Sequence, residues 1–167
     1  MTIDSAFRVL VLCTGNSARS QIAEALLTTR GTIRHAGRVE AVSAGSHPAS
    51  RVNPLAVATL AARGIAWRDR TPRSIDEVMG QRFDLVITVC DNARDACPFF
   101  PGAKAQTHWG LPDPADAADG ATARRAFEDT YDALAARIDA LLALPLEELA
   151  VGELVSAADA IHLDVDA

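Results

Sequence analysis

Cys13 is the residue in this chain best placed to do chemistry. It opens the stretch Cys13-Thr14-Gly15-Asn16-Ser17-Ala18-Arg19-Ser20, a Cys-x5-Arg pattern that follows an apolar run and precedes a helical one. Backbone N–H groups in such a loop, together with the N-terminus of the next helix, can turn inward and hold a tetrahedral oxyanion. Arg19 would add a planar, permanently charged clamp. The same field is expected to draw the Cys13 thiol into the ~3.5–7.5 range of thiols at helix N-termini. Gly15 and Asn16 tolerate left-handed backbone, which a tight cradle often needs. Ser17 and Ser20 offer hydroxyls, and Ser20 is within sequence reach of the Cys13 sulfur. A free cysteine is commonly just a small buried hydrophobe. The strand before, the helix after and the Gly-Asn-Ser-x-Arg-Ser stretch between favour chemistry.

Two more cysteines, Cys90 and Cys97, flank the polar segment Asp91 to Ala96. Neither has a histidine at ligand spacing, so a zinc site is disfavoured. Two buried structural thiols and a redox-active pair are both open readings, and the polar setting favours the pair. Asp113-Pro114 offers a carboxylic acid able to protonate a leaving oxygen. On spacing alone it reads more simply as a turn Asp fixed by its proline.

The elements that must position these groups alternate. Phe7 to Leu12 is a short, continuous apolar run, as in a parallel strand buried on both faces. Gln21 to Leu27 reads as a helix and Val39 to Ala44 as a second strand ended by Gly45. Asn53 as N-cap, Pro54 at the first helical position and Gly64 as stop bound another helix. Ser74 and Glu77 have capping-box spacing. Leu85 to Val89 is a third strand, with Cys90 at its end. Thr107-His108-Trp109 belongs to or follows a fourth, and an amphipathic helix runs from about Ala121 to Leu144. The expected architecture is α/β: one domain with an open, mainly parallel four-stranded sheet and helices on both faces. Ligands of such sheets bind beyond the C-terminal strand ends, where Cys13 and Cys90 both fall. The domain is expected over residues 1–144, with 145–167 an acidic, partly apolar tail of unassigned role.

Composition narrows the classes. At 167 residues and 49% hydrophobic content the chain can bury a core. A formal net charge of −6 argues against nucleic acid while allowing a local basic pocket. No apolar run approaches the ~18 residues of a membrane span, and the first residues lack the features of a signal peptide. A cytoplasmic protein is expected, in keeping with three cysteines rather than a disulfide framework.

Taken together, Cys13 to Glu24, Ser43-Ala44-Gly45, Asn53-Pro54, Cys90-x6-Cys97-Pro98 and His108 to Ala115 resemble arsenate reductases built on the low-molecular-weight protein tyrosine phosphatase fold. The resemblance spans roughly Arg8 to Leu144. Gln21 stands where the phosphatases themselves usually have proline, and Cys90 with Cys97 is similar to the thioredoxin-coupled reductases. It implies that Cys13 attacks arsenate held by Arg19 and the loop from Thr14 to Ser20, with Asp113 protonating the departing oxygen. It further implies a Cys13/Cys90/Cys97 disulfide relay, phosphate as a competing anion and thioredoxin as reductant, with glutaredoxin or mycothiol as alternatives. Potassium-binding relatives use positions similar to Asn16, Glu24 and Ser43 plus an acidic residue. Arg73 falls at that acidic position, so its guanidinium is expected in the cation's place, and neither metal nor cofactor is expected. The rival readings are a phosphotyrosine phosphatase using Cys13, Arg19 and Asp113, and a non-catalytic oxyanion-binding module.

Overall fold

The computed structural model describes residues 6–89, 99–117 and 119–166. Its strands are β1 (Phe7–Cys13), β2 (Val39–Gly45), β3 (Phe83–Thr88) and β4 (Ala103–His108). Its α-helices are α1 (Arg19–His35), α2 (Pro54–Ala62), α3 (Gly120–Leu142) and α4 (Val151–Asp166). The four strands form one parallel sheet in the order β2-β1-β3-β4.

β1 is central, which explains its unbroken apolar run. Val9 and Val11 pack into the larger core with the four α-helices. Leu10 and Leu12 point the other way, into a smaller core with Val78, Phe83, Val86 and Phe100. That second face is covered in part by the short 3-10 helix Ile75–Glu77, where both halves of the Ser74/Glu77 capping box are made. Helical segments therefore lie against both faces, as expected. β4 is an edge strand, and its alternation of Lys104 and Gln106 with buried Ala105 and Thr107 follows from that position.

α1 runs well beyond the Gln21–Leu27 segment legible in sequence. Thr28, Thr29, Gly31 and Thr32 are indifferent helix formers, yet the tertiary contacts hold them. Gly31 passes so close to β2 that an added Cβ would meet Val39 Cβ at 2.9 Å. His35 closes the last turn by bonding Leu142 O at 2.8 Å. α2 begins as expected, with Asn53 Oδ1 accepting from Leu55 N at 2.9 Å.

The chain after Pro145 does not end the fold. Leu154, Ala158 and Ile161, spaced along one face of α4, are buried. Trp109 Nε1 donates to Ala158 O at 3.0 Å, and Arg137 Nε donates to His162 Nδ1 at 3.0 Å. α4 thus packs on the sheet edge and on α3, directly behind the segment that leads from β4 to Asp113.

Candidate active site

β1 delivers Cys13 to the C-terminal rim of the sheet, and α1 starts at Arg19. The connecting loop is shaped from outside. The carbonyls of Cys13, Thr14, Gly15 and Ser17 accept from Ser46 N, His47 N, Ala49 N and Asn53 N at 3.2, 2.9, 2.9 and 2.9 Å. A trans peptide points its C=O and the following N–H in opposite directions. With the carbonyls drawn outward, the intervening N–H groups face inward. Asn16 N is one of them, donating to Cys13 Sγ at 3.2 Å. The first turn of α1 carries no side-chain cap, so its N–H groups and dipole also face the cradle.

The cleft so formed is about 260 Å³ and is lined by Cys13, Thr14, Gly15, Ser17, Ala18, Arg19, Asp113 and Ala115. Cys13 is only 3% exposed, so an attacking sulfur here is reached only from the cleft. Asn16 and Ser20, expected in the anion-binding loop, have no exposed surface. Their side chains lie beside the sulfur: Ser20 Oγ is 2.9 Å from Cys13 Sγ. Asn16 Nδ2 donates to Ser20 Oγ at 2.9 Å and to Ser43 Oγ at 2.8 Å. Against a Cys13 thiolate, the Ser20 hydroxyl is the donor of the sulfur contact. Asn16 adopts φ +49°, whereas Gly15 does not enter the left-handed region.

Gly45 matters for a reason its place at a strand end did not reveal. It pairs with Cys13 across β1 and β2, and an added Cβ would lie 2.4 Å from Thr14 O and 2.9 Å from Asn16 N. Only glycine lets β2 come this close to the loop.

Arg19 reaches across to the segment after β4. Its Nη1 donates to Leu111 O at 2.8 Å, and its Nη2 is 3.5 Å from Asp113 Oδ2. Its Nε is buried and, among the described residues, has no acceptor. Asp113 is fixed by its own 3-10 turn, with Oδ1 accepting from Ala115 N at 3.0 Å. The turn reading and the site reading of Asp113 thus coincide: the turn places the carboxylate on the cleft. Leu111 N bonds Val89 O at 2.9 Å and Trp109 N bonds Thr88 O at 2.7 Å, tying this segment to β3. Cys90 and Cys97 lie outside the described residues.

Behind the loop, Glu24 accepts from Ser43 N at 2.8 Å and Ser43 Oγ at 3.2 Å. Burial pushes its carboxyl above the ordinary range, opposed by the Ser43 hydrogen bonds and by Arg70, 3.7 Å away. Arg73 attracts it more weakly, and its backbone N–H donates to Asn16 Oδ1 at 2.8 Å. The guanidinium nearest Glu24 is thus that of Arg70, a residue without local sequence signal. Among the described residues no cluster of His, Cys, Asp and Glu is arranged to hold a metal ion, and no helix is long and apolar enough to cross a membrane.

A family model described as low molecular weight phosphotyrosine protein phosphatase matches residues 8–151. The chain belongs to that family. An arsenate reductase of Halalkalibacterium halodurans is 41% identical over 109 residues, covering 65% of this chain and 75% of the relative. A solved arsenate reductase in the phosphate binding state is 26% identical with a TM-score of 0.68, covering 81% of this chain and 96% of that one. A thioredoxin-dependent arsenate reductase of Corynebacterium glutamicum is 31% identical with a TM-score of 0.61, covering 83% and 60%. The fold is that of the low-molecular-weight-phosphatase-like arsenate reductases. α4 begins at Val151, where the family match ends.

Proposed function

We propose that this protein reduces arsenate to arsenite, with Cys13 as nucleophile. The observation that carries the reading is the cleft around Cys13, where inward N–H groups, an uncapped helix N-terminus and the Arg19 guanidinium converge. Arg19 Nε, without an acceptor among the described residues, suits it further, since a buried donor left unpaired costs ~1–3 kcal/mol that a bound oxyanion would relieve. Arsenate reductases among the relatives and solved neighbours support the choice of anion.

In the first step the Cys13 thiolate attacks arsenic, a sulfur–arsenic bond forms, and an oxygen leaves as water after protonation. Asp113, on the cleft wall, is the acid for that oxygen. Arsenic is still pentavalent. Resemblance to thioredoxin-coupled reductases supplies the next steps. The Cys90 thiolate attacks Cys13 Sγ, and the electron pair of the sulfur–arsenic bond passes to arsenic, which departs as trivalent arsenite. Cys97 then attacks Cys90, freeing the Cys13 thiolate and leaving a Cys90–Cys97 disulfide for thioredoxin to reduce. The Corynebacterium glutamicum neighbour supports thioredoxin as the external dithiol.

Hydrolysis of a phosphotyrosine ester by Cys13, Arg19 and Asp113 is the second reading, and the family model favours it. The cleft lining favours the first: beyond Arg19 and Asp113 it consists, among the described residues, of small residues, with no aromatic ring among them to grip a phenyl group. Steady-state turnover of arsenate with and without a thioredoxin system decides between them. Phosphate should inhibit competitively. Rapid aryl phosphate hydrolysis with no arsenite formed would support the phosphatase instead.

A further inference from the structure

We infer that Gln21 and Trp67 are a positioning pair that sets the thiolate character of Cys13 by locking Asn16. The inference rests on the reading of Cys13 as the nucleophile. Gln21 takes the place just after the Arg19-Ser20 pair and is 3% exposed. Its Nε2 donates both to Asn16 O and to Asn16 Oδ1, each at 3.1 Å. Its Oε1 accepts from Trp67 Nε1 at 2.9 Å. An indole N–H can only donate, so this contact fixes which end of the Gln21 amide is oxygen. The opposite orientation would set that oxygen against two acceptors of Asn16. Trp67 is itself held, buried at 4% exposure with the Arg70 guanidinium 3.8 Å over its ring.

Asn16 is the residue that this clamp holds. It adopts a left-handed φ of +49°, which asparagine tolerates. Two of the sulfur's hydrogen bonds depend on it. One is its own N–H to Cys13 Sγ, and the other is Ser20 Oγ, which Asn16 Nδ2 orients. Hydrogen bonds to an anionic group favour the anion. Gln21 and Trp67 do not line the Cys13 cleft, so any effect they have on the sulfur must pass through Asn16.

The test is the pH dependence of Cys13 alkylation by iodoacetamide in the full chain, followed for the Cys13 peptide by mass spectrometry. A wild-type midpoint near the free-thiol value of ~8.5 would count against Cys13 as an activated nucleophile, separately from the pair. With a low wild-type midpoint, Gln21→Met should raise it by about one pH unit. Trp67→Phe, which keeps the ring beneath Arg70 and loses only the donor, should raise it less. The double variant should match Gln21→Met alone, because Trp67 acts through Gln21. If Gln21→Met does not fold, the Trp67→Phe shift decides. Midpoints unchanged from wild type, even in variants of reduced thermal stability, would overturn the inference, as would shifts that simply add.

Discussion

The backbone N–H of Asn16 points at the Cys13 sulfur from 3.2 Å while the same residue's side-chain amide holds Ser20, the sulfur's other neighbour, at 2.9 Å. One left-handed residue thus arranges two hydrogen-bond partners around that sulfur. Its position depends on β2 as much as on the loop, because Gly45 presses against both Thr14 and Asn16.

Gly45→Ala should therefore damage the cradle. The new Cβ would stand 2.4 Å from a backbone carbonyl that cannot rotate away. Overpacking of this kind costs ~1–3 kcal/mol, and the loop is the part free to move. Denaturant unfolding together with calorimetric titration of phosphate checks this. Wild-type phosphate affinity in the variant would mean that the loop keeps its shape without Gly45.

Arg19→Lys should lose about tenfold or more in phosphate affinity, the scale of one lost charge-assisted hydrogen bond of ~1.5–3 kcal/mol. Arg19 spends Nη1 on Leu111 O and Nη2 on Asp113, while Nε has no acceptor among the described residues. A single ammonium cannot reach all three. Competitive inhibition constants for phosphate in the two proteins measure the loss, and equal constants would show that the guanidinium does not touch the anion.

Glu24 gives a pH signature of stability. Burial raises its folded-state carboxyl above the ordinary 4.5, so the folded chain holds this proton to higher pH than the unfolded chain. Its contribution is fully present below pH 4.5 and is lost as pH rises through the raised folded value. Relative to Glu24→Gln, the wild type should lose stability over that window, by at most ~1.4 kcal/mol per pH unit. Urea unfolding of both proteins from pH 4 upward tests it, and parallel curves would contradict the assignment.

The signature loop was legible because its chemistry is local: a thiol, small residues and an arginine between a strand and a helix. The four-stranded parallel sheet was legible for the same reason, since Phe7 to Leu12 and Leu85 to Val89 each carry the mark of burial on both faces. What failed to show was long-range. Trp67 and Arg70 follow a helix stop in a segment without periodicity, and their partners Gln21 and Glu24 lie far away in sequence. The extent of α1 was hidden by Thr28, Gly31 and Thr32, which only the packing against β2 and α3 makes helical. The start of β4 was not legible because an edge strand alternates, and Lys104 and Gln106 look like loop residues. The role of Gly45 is a close approach between β2 and the loop after β1, to which sequence gives no measure.

The most direct measurement of the central account is the arsenite released by Cys97→Ser when it is mixed with arsenate and a thioredoxin system. If Cys13 attacks arsenic and Cys90 resolves the adduct, the variant should release about one arsenite per enzyme and then stop, with a Cys13–Cys90 disulfide in the mass spectrum. Continued turnover at the wild-type rate, or no arsenite with Cys13 and Cys90 both reduced, would contradict it.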